Sequence, residues 1–185
     1  MRILVFGAAH RKGSFNRKLA LNAAEHLAKA FPEDTVEFVH FSDFPMPVYD
    51  GDLEEKDGLP KGAGALVEKL AQAGAVVIST PEYNGGIPGA LKNAIDWISR
   101  ADDNPLDKKP LLLLAASPGA LGGVRSLWHT RVPFEALGAV VYPTMFGLPK
   151  ASEAFDANDK LVDPKMGARL EKLVLEFRGF AAKLA

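Results

Sequence analysis

Short apolar runs recur along the chain, and within them polar and apolar residues seldom alternate. The runs read RILVF, TVEFV, AVVIST, LLLLAAS and AVVYP, at residues 2–6, 35–39, 75–80, 111–117 and 139–143. Strands that are covered on both faces of a parallel sheet have this nearly continuous apolar character. The pattern therefore predicts five buried, parallel strands.

Between the runs, apolar residues return every three or four positions, which is typical of one face of an amphipathic helix. Two such faces are marked by Phe15, Leu19, Ala23 and Leu27, and by Leu91, Ala94, Ile95 and Ile98. A third helical pattern, ARLEKLVLEF, follows turn signals at Asp163 and Pro164. Strands that alternate with helices predict one doubly wound α/β domain over residues 1–185. The segment 43–64 is predicted to be a long irregular loop, which in a compact domain is usually functional or mobile.

The composition excludes several classes of function. A formal net charge of −1 leaves no electrostatic footprint for nucleic acid or for an anionic membrane. The chain has no cysteine, which excludes disulfides, thiol catalysis and thiolate metal sites. His26, His40 and His129 share no metal-ligand spacing, so we predict no metal site. Because the sequence shows neither a leader peptide nor an apolar run of membrane-spanning length, we expect a cytoplasmic protein.

The stretch HRKGSFNRK, which begins at His10, lies where the first predicted strand gives way to a helix. In open α/β sheets, ligands bind at the carboxyl ends of the strands, and a helix N-terminus there favours an anion. Arg11, Ser14 and Asn16 could each donate to a phosphate oxygen. The stretch matches neither the P-loop spacing nor G-x-G-x-x-G. The alternative is a solvated first helical turn.

Two further loops follow predicted strands 3 and 4. STPEYNGGIPGALKNAIDW, at residues 79–97, places Tyr83 and Asn84 among glycines and prolines. SPGALGG, at residues 117–123, has glycines that allow main-chain N–H groups to approach a flat ligand closely. With the first loop, these loops predict a site for a phosphate joined to a planar, hydrogen-bonding ring. FMN has that shape. Asp96 is interpreted as a helix-capping partner and Trp97 as a packing aromatic at an interface, rather than as catalytic residues.

Through RKGSFN, PEYN…PGALKNAIDW and SPGALGG, in this order, the chain resembles the NADPH-dependent FMN reductase family. The resemblance implies a flavodoxin-like, five-stranded parallel sheet of order 2-1-3-4-5 with helices on both faces. It implies FMN as cofactor, NADPH or NADH as electron donor, and a homodimer or homotetramer with the flavin near the subunit interface. It assigns the phosphate to Arg11, Ser14 and Asn16, the isoalloxazine to Pro81, Glu82, Tyr83 and Asn84, and the pyrimidine edge to Ser117, Gly119, Gly122 and Gly123.

The resemblance implies an enzyme that transfers two electrons by ping-pong hydride transfer to quinones or similar small acceptors, with no catalytic side chain because the flavin carries the chemistry. Arg11, Lys12 and the segment 43–64 are expected to help hold the NADPH phosphates. The alternatives are a flavodoxin-like electron carrier and a non-catalytic member that binds flavin weakly.

Three positions depart from the family pattern. Ala8 and Ala9 stand where the family commonly has Gly-Ser, and Gly86 stands where it often has serine. Loss of two neutral hydrogen bonds predicts FMN binding that is weaker by roughly ten- to hundredfold. Pro133 lies inside an expected helix.

Overall fold

Six parallel strands form one sheet in the computed structural model, which describes residues 1–184. The strands are β1 (Arg2–Gly7), β2 (Thr35–His40), β3 (Ala75–Ser79), β4 (Pro110–Ala116), β5 (Val140–Val141) and β6 (Phe146–Leu148). The order is β2-β1-β3-β4-β5, and β6 also pairs with β4. The predicted doubly wound architecture and strand order are confirmed, with a sixth strand added.

The added strand arises because the fifth position of the sheet is occupied by two short pieces. Val140 and Val141 pair with the start of β4, whereas β6 pairs with its last residues, Leu114–Ala116. The predicted strand 139–143 therefore shrinks to two residues. Pro143 lies in the break, and it has no N–H to donate to a neighbouring strand.

Six α-helices connect the strands and cover both faces of the sheet. They are α1 (Phe15–Ala30), α2 (Gly51–Asp57), α3 (Lys61–Gln72), α4 (Gly89–Ile98), α5 (Val124–Ala136) and α6 (Pro164–Ala181). Alternate residues of β1 divide the core: Ile3 and Val5 pack with α1 and α6, and Leu4 and Phe6 pack on the opposite face with α3, α4 and α5. Helix α5 continues through Pro133 to Ala136. No helix within residues 1–184 is long and apolar enough to cross a membrane.

The segment 43–64 is more regular than the sequence analysis predicted, since it contains α2 and the start of α3. Asp50 caps α2 by accepting from the Asp52 N–H at 2.8 Å, which explains why the acidic run DLEEKD forms a helix with no buried residue rather than a loop.

The extended part that precedes α2 is tied to α4. Asn93 Oδ1 accepts from the Tyr49 N–H at 2.7 Å, and the Trp97 indole N–H donates to the Pro47 carbonyl at 2.9 Å. Trp97 is completely buried within the subunit, so the interpretation of Trp97 as an interface residue is wrong. Asp96 pairs with Lys92 one turn earlier rather than capping the helix.

Candidate active site

A cavity of about 190 Å³ lies at the carboxyl edge of the sheet, where the loops after β1, β3 and β4 meet. We call these segments loop 1 (8–14), loop 2 (80–88) and loop 3 (117–123). The structure brings most of the predicted site residues to this cavity. Its lining consists of Arg11, Ser14, Phe15, Asn16, Pro81, Glu82, Tyr83, Ala116, Ser117 and Pro118. Asn84, Gly119, Gly122 and Gly123 belong to the same loops but do not line it.

Loop 1 ends in the N-cap of α1. The Ser14 hydroxyl accepts from the Asn16 N–H at 3.2 Å, and Gly13 has the positive φ of 72° that the turn before the cap requires. The N–H groups of Lys12, Gly13 and Phe15 have no acceptor within residues 1–184. These free donors at the start of a long helix, with the exposed guanidinium of Arg11 beside them, form a favourable site for a phosphate.

Asn16 is buried, and its side-chain amide joins three elements. Its Oδ1 accepts from the Ala116 N–H at 2.8 Å and from the Ser79 hydroxyl at 2.9 Å, and its Nδ2 donates to the Ala116 carbonyl at 2.9 Å. The amide therefore fastens the start of α1 to the ends of β3 and β4. The sequence analysis assigned this side chain to a phosphate, and the structure uses it to hold the floor of the cavity.

Loop 2 contains a tight turn. Tyr83 and Gly86 exchange two backbone hydrogen bonds, while Asn84 and Gly85 both have positive φ, 52° and 76°. Two consecutive positive φ angles define a type I′ turn, for which Asn-Gly is the preferred sequence. The turn presents Tyr83 at the rim of the cavity with 55% of the residue exposed. Asn84 is needed for the turn itself.

Glu82 connects loop 2 to α5. Its carboxylate accepts from the backbone N–H groups of Arg125 and Ser126 at 3.1 and 3.3 Å, and from the Arg125 guanidinium at 2.5 Å. Burial alone would raise the pKa of Glu82, but these donors outweigh it and hold the pKa below its usual value. The Ser126 hydroxyl adds a bond to the Pro81 carbonyl at 2.7 Å. Glu82 thus caps α5 from a position distant in sequence.

Loop 3 bends sharply at its glycines. Gly122 and Gly123 have φ angles of 61° and 84°, and a Cβ on Gly123 would lie 2.8 Å from the Cβ of Ala115. A Cβ on Gly122 would meet the backbone of β6 at 2.9 Å. Both glycines are therefore required by the packing of the loop. The N–H groups of Ala120, Leu121 and Gly123 have no acceptor within residues 1–184, so they are free to bind a ligand.

The cavity suits a nucleotide with an anionic end and a planar ring. Free N–H groups and Arg11 lie at one end, Tyr83 at the rim, and the single carboxylate of the lining, Glu82, is fully engaged by α5. A free carboxylate would repel a phosphate, so its absence from the lining matters. Fold and cavity together define a flavodoxin-like α/β protein whose cavity lies at the carboxyl edge of its sheet, where such folds bind their ligands.

Comparison with known proteins agrees with this class. Residues 1–153 match the sequence model of the family described as NADPH-dependent FMN reductase. A quinone reductase of Escherichia coli (strain K12) is 40% identical over 141 residues, which are 76% of this chain and 73% of that protein. An NAD(P)H-dependent FMN reductase of Pseudomonas aeruginosa is 34% identical over 167 residues, 89% of this chain and 86% of that protein.

Solved structures extend the similarity to nearly the whole chain. FerB, a flavoenzyme NAD(P)H:(acceptor) oxidoreductase from Paracoccus denitrificans, superposes with a TM-score of 0.81 at 28% identity and covers 98% of this chain and 97% of FerB. An archaeal flavodoxin at 10% identity, with a TM-score of 0.65, shares the fold.

The chain belongs to the NADPH-dependent FMN reductase family. The sequence-based predictions of the family, of an oxidoreductase, and of FMN and NAD(P)H as its cofactors are confirmed at the level of the family. The assignment of individual residues to FMN stays a prediction.

The structure also locates the departures from the family pattern. Ala8 is buried, and Ala9 lines a neighbouring groove on the β2 side of loop 1 rather than the cavity. A Cβ on Gly86 would lie 3.3 Å from Nδ1 of His129, so a side chain there would point toward α5.

The sequence analysis missed Arg125, because its contact with Glu82 is created by the fold alone.

Proposed function

We propose that the chain is an NAD(P)H-dependent quinone reductase, a single FMN-containing domain over residues 1–185. It transfers two electrons from NADPH or NADH to quinones or similar small acceptors by ping-pong hydride transfer. The cavity at the meeting point of loops 1, 2 and 3 is the observation that supports this proposal best. The relative named quinone reductase suggests the class of acceptor.

The residues of the chain bind and orient the cofactor, and bound FMN supplies the two-electron redox chemistry. Arg11, Ser14 and the free N–H groups of loop 1 hold the phosphate. Pro81 and Tyr83 line the cavity and would flank the flavin ring, and Glu82 fixes their loop through its cap on α5. The free N–H groups of loop 3 would face the pyrimidine edge of the flavin, where such donors would stabilise negative charge. In this arrangement Asn16, Asn84, Gly122 and Gly123 shape the site, and Ser117 and Gly119 border it.

If donor and acceptor shared the opening beside Tyr83, the oxidised donor would have to leave before the acceptor could enter. Steady-state kinetics with NADPH and a benzoquinone test this order. We expect NADPH oxidation without any partner protein, and parallel double-reciprocal plots when both concentrations are varied. Intersecting plots would contradict the ping-pong order, and oxidation only with a partner protein would favour an electron carrier.

We further propose that the enzyme is a homo-oligomer that pairs through an exposed apolar stripe on α5. On α5, Trp128 and Val132 are exposed by 57% and 66% and lie one turn apart on the same side of the helix, and Leu121, exposed by 60%, lies in loop 3 just before the helix begins. The turn of loop 2 lies against the same helix, since a Cβ on Gly85 would lie 3.8 Å from the Arg125 side chain and a Cβ on Gly86 would lie 3.3 Å from Nδ1 of His129. Large apolar side chains that are exposed close together on one surface are typical of interaction sites.

Substitution of the tryptophan tests this interface. We expect Trp128→Glu to reduce the mass measured by light scattering to the monomer value of 19.9 kDa, because a charge in an apolar interface is costly to desolvate. The matched control is Val162→Glu, since Val162 is 54% exposed outside the stripe, and this variant keeps the mass of the unmodified protein. A Trp128→Glu variant with unchanged mass would exclude the α5 stripe as the interface.

A further inference from the structure

A groove runs along the β2 side of loop 1, next to the candidate FMN cavity. It contains Arg11, Lys12 and part of the segment 43–64, which the sequence analysis expected to help hold the NADPH phosphates, and the proposed function has given it no ligand. It has a basic half, lined by Arg11, Lys12, Arg17 and His40 among others, and an apolar half, lined by Phe44, Met46 and Val48 among others. His10 and Phe41 line both halves, with their ring centroids 5.1 Å apart. Arg11 also lines the FMN cavity, so groove and cavity share one side chain.

The basic half has no compensating negative charge. None of its lining residues is an aspartate or a glutamate. Four other arginines of the chain are paired with carboxylates, namely Arg2, Arg125, Arg131 and Arg178. Arg17 has no carboxylate partner within residues 1–184, and its guanidinium lies 3.4 Å from Nε2 of His40. The buried Nδ1 of His40 has no hydrogen-bond partner within residues 1–184. Such a set of unpaired cations favours a dianionic ligand group.

The apolar half has a fixed wall. The segment that carries Met46 and Val48 is held by hydrogen bonds from Asn93 and Trp97 to the Pro47 carbonyl, at 2.8 and 2.9 Å. Val48 is nevertheless 82% exposed. A rigid, solvent-facing apolar surface beside an aromatic ring suits a flat heterocycle. The groove thus combines a surface for a planar ring with a site for a phosphate.

We infer that this groove binds the adenosine 2′-phosphate half of NADPH, and that Arg17 determines the preference for NADPH over NADH. The inference rests on the proposed function, because it requires NADPH to be the electron donor. A 2′-phosphate is a monoester with a charge near −2, and NADH has a neutral hydroxyl at that position. Arg17 is the informative residue, since it lines the groove but not the FMN cavity.

Kinetics of the FMN-loaded enzyme with both donors test the role of Arg17. For Arg17→Ala we expect kcat/KM for NADPH to fall by about tenfold to hundredfold, because a charge-assisted hydrogen bond to phosphate is lost. We expect kcat/KM of the same variant for NADH to change by less than about twofold, because NADH has no 2′-phosphate. The control is Arg169→Ala, which removes a positive charge that lies over Phe146 in β6, beside β4 and across the sheet from β2. It should leave the ratio of kcat/KM for NADPH to kcat/KM for NADH unchanged. An equal loss for NADPH and NADH in Arg17→Ala would overturn the inference.

A binding measurement separates the inference from the proposed function. Adenosine 2′,5′-bisphosphate is titrated calorimetrically into the unmodified protein and into Arg17→Ala, with 5′-AMP as the comparison. We expect the bisphosphate to bind more tightly than 5′-AMP to the unmodified protein, and the difference to vanish in Arg17→Ala.

The two experiments distinguish failure of the proposed function from failure of the groove assignment. Bisphosphate binding that depends on Arg17, in a protein that does not oxidise NADPH, would refute the proposed function and keep the groove as an adenosine phosphate site. NADPH oxidation with bisphosphate binding unaffected by Arg17→Ala would refute the groove. Loss of FMN from Arg17→Ala would show that the basic half serves the flavin phosphate instead, and it would likewise overturn the inference.

Discussion

Replacement of Asn16 by alanine is the most informative change for the floor of the cavity. The residue is 3% exposed, and its amide makes hydrogen bonds to both backbone groups of Ala116 and to the Ser79 hydroxyl, which is completely buried. Alanine removes these bonds and leaves buried polar groups at the ends of β3 and β4 without partners. We therefore expect Asn16→Ala to destabilise the protein even when no ligand is bound.

The size of the effect follows from the three lost bonds. A hydrogen bond contributes about 1 kcal/mol net, so the free energy of unfolding should fall by about 3 kcal/mol. In a domain of this size, a change of about 1 kcal/mol shifts the melting temperature by about 2–4 °C. The melting temperature of the apoprotein should therefore fall by about 6–12 °C.

Urea denaturation of the apoprotein, followed by circular dichroism, measures the change. The matched control is Asn158→Ala, because Asn158 is exposed and its side chain has no hydrogen bond within residues 1–184. The free energy of unfolding of Asn158→Ala should stay within about 0.5 kcal/mol of the value for the unmodified protein. If Asn16→Ala unfolded at the unmodified midpoint but failed to bind FMN, the amide would be a phosphate ligand, and the structural role argued here would be refuted.

Other predictions concern loops 2 and 3. Glu82→Gln should lower the free energy of unfolding by about 1–2 kcal/mol at pH 7, because the cap on α5 loses its charge. The pKa of Glu82 is lowered by folding, so this stabilisation is fully present above the usual value of 4.5 and is lost as the pH falls through the lower folded pKa. Urea denaturation of both proteins from pH 7 to pH 3 should therefore give free energies of unfolding that converge at low pH. A difference in the free energy of unfolding that stayed constant with pH would contradict the cap. Gly123→Ala should destabilise the protein by at least about 1 kcal/mol, because of its positive φ and the contact with Ala115. Gly167→Ala, in an open position of α6, should stabilise the protein by about 0.5–1 kcal/mol. Thermal melts in which both glycine variants shifted the melting temperature in the same direction would exclude this explanation.

The layers of the fold could be predicted from the sequence because the signals are local. Buried parallel strands are apolar throughout, and helices such as α1 show one apolar face, so β1, β3, β4 and α1 follow from the hydrophobic pattern. The pattern located β2 but was wrong about its burial, because β2 lies at the edge of the sheet and none of its residues is buried. The division of the fifth position into β5 and β6 could not be predicted, since it depends on which residues of β4 each piece meets. The helix α2 was missed because it buries no side chain and shows no apolar periodicity.

The site could be predicted as a set of loops but not as a set of contacts. The sequence indicated Arg11, Ser14 and Tyr83 because polar and glycine-rich loops follow strands, and the structure brings these residues to one cavity. It did not indicate that the side chains of Asn16 and Glu82 would form structural hydrogen bonds with elements far along the chain. Those partners lie at separations of 100 and 43 residues, which only the folded sheet brings together.

The most direct test of the central claim is an absorption spectrum of the purified protein, recorded after FMN addition and desalting, and again after anaerobic addition of NADPH. The account predicts a flavin band that survives desalting and is bleached by NADPH without any other protein. A protein that retains no flavin and shows no spectral shift with excess FMN would contradict the assignment of the cavity. A retained band that NADPH does not bleach would contradict the reductase activity.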